Sequence, residues 1–86
     1  MILILQVVPG GWDLTLEKAF GAVLKRTRVG QKQTQLELAE KSDFDVTYIS
    51  LLERGRRQPS LKAFISIAKG LGVSPVDLLR KTLKEL

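Results

Sequence analysis

Between Thr34 and Gly55 the chain has room for two short helices and almost nothing between them: TQLELAEKSDFDVTYISLLERG. Thr34 is a good N-cap, and Glu37 three residues on completes a capping box, so the spacing predicts a helix over QLELAEK. Ser42, Asp43 and Phe44 read as a turn, and Asp45 caps a second helix, VTYISLLER, which Gly55 stops in the left-handed conformation. Two short helices on a three-residue turn cross steeply, and Ala39 is small enough to let them approach. Leu38 and Ala39 face inward from the first, Ile49 and Leu52 from the second, and Phe44 plugs the turn.

The flanking sequence is helical as well. Thr15 can cap a first helix to about Arg28, with Leu16, Phe20, Leu24 and Thr27 on one stripe and Gly30 at its end. Ser60 caps a fourth helix with the stripe Leu61, Phe64, Ile67, Ala68 and Leu71, closed by Gly72. Ser74 and Pro75 open a fifth, in which Val76, Leu78, Leu79, Leu83 and Leu86 are apolar. The expectation is one compact all-α domain of five helices over residues 15–86. Residues 1–14 form an arm set apart by Pro9-Gly10-Gly11. Its start, MILILQVV, suits a short β-strand pairing with its copy across a dimer axis through Ile2 and Ile4; the alternative is an upstream extension without a fold of its own. It falls far short of the roughly 20 apolar residues that span a bilayer. It also lacks the basic lead-in of a secretory signal, which points to a cytoplasmic protein.

Composition narrows the chemistry. The chain has no cysteine and no histidine, so thiolate nucleophiles, thiolate metal sites and the commonest general base are all missing. With no glycine-rich phosphate loop either, nothing points to an enzyme, a cofactor, a metal or a small-molecule ligand. A net charge of +5 instead favours a polyanionic partner. The outward side of the helix after the turn carries Val46, Thr47, Ser50 and Leu51, a nearly uncharged face that can enter a major groove. Lys25, Arg26, Arg28 and Lys32 precede the two-helix unit, and Arg54, Arg56 and Arg57 follow it. Cations bracketing a neutral face are what phosphate clamping around base contacts requires, and the helix starts at Gln35 and Val46 add backbone donors.

The run T-Q-x-E-L-A … Y-I-S-x-x-E-R-G-x-R-x-P-S resembles the helix-turn-helix of the Cro and phage-repressor family, also called the xenobiotic-response-element family. The resemblance extends from about Leu16 to Leu83. It implies a lambda-repressor-like DNA-binding domain. By the same resemblance Gln35 touches phosphate or a base edge, Val46, Thr47 and Leu51 read bases, and Tyr48 and Ser50 flank them. Arg56, Arg57 and Gln58 would meet the DNA backbone, and Arg28 would pair with Glu53 where the bare sequence offers two solvated charges. Tyr48 could equally pack its ring on the core edge. Two departures stand out. Asp43 occupies a turn position where relatives usually have glycine, and Val46 and Leu51 replace the usual hydrogen-bonding readers. Methyl contacts to thymine and DNA shape would then carry more of the specificity.

The fifth helix holds more apolar surface than a small bundle can bury, so Leu79, Leu83 and Leu86 are read as a homodimer interface, against fraying at the C-terminus. A two-fold dimer would set two recognition helices one DNA turn apart. The leading function is a homodimeric, nucleoid-associated bacterial or phage regulator of double-stranded operator DNA. Phage repressor, restriction-modification controller and antitoxin contexts are all open. The competing function is a protein-interaction module on the same fold, such as an antitoxin-like partner binder, which the apolar Val46 and Leu51 would suit.

Overall fold

The computed structural model describes the backbone of residues 9–86 and the side chains of residues 16–86. Those residues form α1 (Pro9–Gly30), α2 (Gln35–Ser42), α3 (Val46–Glu53), α4 (Leu61–Leu71) and α5 (Pro75–Lys84), with no strand among them. The strand and interface expected at Ile2 and Ile4 lie outside the described residues.

The first helix departs from the sequence reading at its start. It starts at Pro9, so Thr15 is inside it rather than capping it, and the boundary expected after residue 14 falls within α1. Proline is suited to a first helical position, where its fixed φ is helical and its missing N–H has no partner to lose. Pro9 therefore opens the helix and does not break the chain away from it. At the other end the helix finishes at Gly30 as expected, and the turn after it holds Lys32 in the left-handed region at φ 59. The turn there is closed by backbone bonds from Gln33 N to Arg28 O (3.1 Å) and from Lys32 N to Val29 O (2.9 Å).

The remaining punctuation follows the sequence closely. Thr34 and Glu37 form the reciprocal capping box, and Ser60 and Ser74 cap α4 and α5. Asp45 sits at the N-cap of α3, but its side chain makes no capping bond. Asp43 holds φ 64, and its N–H reaches the carbonyls of Ala39 and Glu40.

One core serves all five helices. Leu24 from α1, Leu38 from α2, Ile49 and Leu52 from α3, Ile67 from α4 and Leu78 from α5 are fully buried together. Leu61 does not join the α4 stripe as expected: it is 75% exposed, at the first position of the helix. Contact between α1 and α3 is closer than any apolar stripe would reveal. A Cβ on Gly21 would lie 2.4 Å from the carbonyl oxygen of Leu52 and 2.7 Å from that of Glu53. The backbone of α1 thus rests directly on the last turn of α3.

Two substitutions test this account. Asp43→Gly removes a left-handed penalty of about 1 kcal/mol, and for a domain this size should raise the melting temperature by roughly 4–8 °C. Gly21→Ala gains helix propensity but forces α1 off the backbone of α3. It should cost about 1–3 kcal/mol in a urea melt, as overpacking does.

Candidate nucleic-acid interface

The α3 helix is short, and its two fully buried side chains, Ile49 and Leu52, fix which way it faces. Thr47 is then exposed, with Ser50 and Leu51 partly so. Val46, expected to read bases, is half-buried and packs against the core, because the first residue of α3 lies over the turn and not on its outer face. Tyr48 resolves toward the core edge: its ring packs on Phe44 with centroids 4.8 Å apart. The guanidinium of Arg57 sits 5.6 Å above the same ring, a cation–π contact that steadies an otherwise long and mobile side chain.

The far end of α3 is pinned by one carboxylate. Glu53 accepts from Arg28 Nε at 2.6 Å and Nη2 at 3.0 Å, a two-pronged pairing, and from Gln35 Nε2 at 2.9 Å. Arg28 Nη1 also donates to the carbonyl of Gln33 at 2.8 Å. The Arg28 and Glu53 side chains retain only 11% and 3% of their exposure. The hydrogen bonds to Glu53 push the Arg28 guanidinium above its usual pKa, opposed by desolvation and helped by the charge of Glu53. Because the folded-state value is raised, the part of this stabilisation that depends on Arg28's own charge is lost as pH rises through the folded value, in strong alkali.

This network sorts the basic residues that flank the unit. Arg28 is committed inside it, and Arg26 pairs with Glu85 at 3.0 Å on the surface, so neither is the uncommitted phosphate ligand that its place in the sequence suggested. Arg54, Arg56 and Arg57 are exposed beyond α3 and form no ion pair among the described residues; Arg54 Nε donates to the carbonyl of Ser50 at 3.3 Å. Lys32 is exposed in the turn before α2. The partly buried Gln35 spends one amide N–H on Glu53, and its side chain is thereby held at the start of α2. Sequence reasoning missed that Gln35 joins the Arg28–Glu53 pair. Its only signal there was that a glutamine opening α2 and a glutamate closing α3 meet when two short helices cross.

The outcome is a compact, uncharged surface on α3, rigidly held, with three arginines beside it. A helix-turn-helix family model matches residues 24–78, the stretch from the middle of α1 to the buried Leu78 of α5. The control protein C.BamHI of Bacillus amyloliquefaciens is 43% identical over 61 residues, covering 70% of this chain and 75% of that protein. Among solved structures, the clp gene regulator ClgR of Corynebacterium glutamicum superposes with a TM-score of 0.77 at 37% identity, over 83% of this chain and 92% of that one. The restriction-modification controller protein C.Esp1396I, solved as a tetramer in complex with its natural 35 base-pair operator, gives 0.76 at 40% identity over 81% and 92%.

Glu53→Ala strands the Arg28 guanidinium without its partner and should cost about 3–5 kcal/mol in chemical denaturation. The double variant Arg28→Met with Glu53→Leu should recover a large part of that loss. Equal destabilisation of single and double variants would show that the charge pair is not the source of the cost.

Proposed function

The chain belongs to the Cro/C1-type helix-turn-helix family, and from that membership we propose a sequence-specific, double-stranded-DNA-binding transcription regulator of repressor or controller type that acts as a homodimer. The observation that carries this reading is the uncharged outer face of α3, fixed at its end by Glu53 and bordered by Arg54, Arg56 and Arg57.

In this reading α3 enters the major groove. Thr47 and Ser50 offer hydroxyls to base edges, and Leu51 offers a surface for a thymine methyl. Val46 and Tyr48, packed as they are, contribute only their outer rims. Arg54, Arg56 and Arg57 take phosphates on one side, and Lys32 and Gln35 do so at the start of α2. The apolar side chains Val76, Leu79 and Leu83 are exposed at three- and four-residue spacing along α5, and Leu86 is exposed just past its end, outside the helix in which it was expected. That is the pattern of a helix awaiting a second helix, and it supports two-fold pairing through Leu79, Leu83 and Leu86. Pairing there would present two copies of α3 to successive turns of DNA, roughly 34–36 Å apart. That C.Esp1396I is a tetramer on its operator supports assembly of several copies on one site. The reading assigns no catalysis and no cofactor to the chain, and it places the protein with the chromosome in the cytoplasm. Among the described residues no helix is long and apolar enough to cross a membrane.

Fluorescence anisotropy with duplexes that include the chain's own upstream region, repeated across a salt series, tests the proposal. Binding should weaken steeply with salt, and Arg56→Ala with Arg57→Ala should lower the magnitude of the slope by about 2, one unit per lost phosphate contact. Thr47→Ala and Leu51→Ala should instead flatten the preference between duplexes. No binding at low salt by a folded dimer would refute the proposal.

A further inference from the structure

The three arginines beyond α3 differ in how far the free protein orders them. Arg54 lies back along α3, its Nε 3.3 Å from the carbonyl of Ser50, a weak bond at the edge of hydrogen-bonding range. Arg56 is exposed, and its backbone N–H is held by the carbonyl of Leu51 at 2.9 Å. Among the described residues Arg57 alone of the three lies over an aromatic ring, its guanidinium carbon 5.6 Å from the Tyr48 centroid.

Resting on the reading that this face binds DNA, we propose that Tyr48 is a positioning residue: its ring orders Arg57 for a phosphate before DNA arrives, without neutralising it. An ion pair orders an arginine at the cost of its charge, as Glu53 does for Arg28. A ring face attracts the guanidinium yet carries no net charge. The full positive charge of Arg57 therefore stays available to a phosphate.

Both partners stand on fixed backbone. The Tyr48 ring packs on Phe44 and on the core, and Phe44 is tied to α2 by its N–H, 2.8 Å from the carbonyl of Ala39. The loop that carries Arg57 begins at the buried Gly55, at φ 71, where a Cβ would lie 2.9 Å from Cγ of Lys18. That close seat on α1 fixes where the loop leaves α3. The Arg57 side chain is the freedom that remains, and freezing a long side chain on binding weakens affinity roughly two- to tenfold. The ring meets that cost in the free protein. Phosphates carry no sequence information, so the gain applies to every duplex alike and leaves the number of phosphate contacts unchanged.

Anisotropy titrations of the full-length parent, Tyr48→Phe, Tyr48→Leu, Arg57→Ala and the double variant Tyr48→Leu with Arg57→Ala test this. Each would be run across a salt series against the chain's own upstream duplex and a scrambled one, at a temperature where circular dichroism shows every protein folded. Tyr48→Phe keeps the ring face and should bind within about twofold of the parent. Tyr48→Leu should bind both duplexes about three- to tenfold more weakly at an unchanged salt slope, whereas Arg57→Ala should lower the slope's magnitude by about 1. In the Arg57→Ala background Tyr48→Leu should cost nothing further. Equal losses from Tyr48→Leu with and without Arg57 would overturn the proposal, as would a loss in Tyr48→Phe as large as in Tyr48→Leu. Full affinity in the folded Tyr48→Leu variant would overturn it as well. Those results leave a parent that binds DNA and so leave the regulatory function standing. No binding by the folded parent would sink that function and this proposal together.

Discussion

The carboxylate of Glu53 holds the structure's functional parts in relation to one another. It closes α3 and receives donors from Arg28 near the end of α1 and Gln35 at the start of α2. Segments of α1, α2 and α3 therefore meet at one nearly buried group. The backbone of α1 at Gly21 touches the same final turn of α3, so packing and hydrogen bonding constrain the helix at one end together. A buried ion pair is often no more stabilising than apolar residues of its shape, because desolvation offsets the attraction. Its value here is positional. Oil alone would let an eight-residue helix roll on Ile49 and Leu52, whereas a two-pronged guanidinium contact fixes its angle.

That commitment divides the chain's positive charge by role. A net charge of +5 is spread over the sequence, yet Arg28 is consumed by the scaffold and Arg26 by the α5 end. What remains beside α3 is the arginine group that follows it, with Arg57 steadied above Tyr48. The face between these groups is neutral and small. On the proposed function, a neutral surface with arginines at its edge would separate positioning from reading, which is the division protein–DNA contacts require.

Most of the architecture was legible in the sequence because it is written in local chemistry. The capping box at Thr34 and Glu37, the serines at 60 and 74, and the left-handed positions at Asp43, Gly55 and Gly72 all act within a few residues of themselves. The buried stripe positions Leu24, Leu38, Ile49, Leu52 and Ile67 followed from helical spacing. What escaped depends on tertiary placement. Pro9-Gly10-Gly11 looked like a break, because a proline before two glycines reads locally as a turn, and its suitability for a helix start shows only once α1 is in place. Val46 looked like a reader because its outward angle was counted along α3 alone, without the core beneath the turn. Gln35 belonged to a candidate site, but its tie to Glu53 spans 18 residues and needed the crossing of α2 and α3 to be visible.

The central claim is that the bond between Glu53 and its two donors sets the angle at which α3 meets DNA. The most direct measurement is an anisotropy titration of Glu53→Gln against the duplex preferred by the parent protein and a scrambled one, at a temperature where both proteins are shown to be folded. The account predicts at least a tenfold loss of affinity for the preferred duplex, with discrimination between the two largely gone and non-specific binding kept by Arg54, Arg56 and Arg57. Unchanged affinity and discrimination in the folded variant would contradict it, and would leave apolar packing alone to orient the helix.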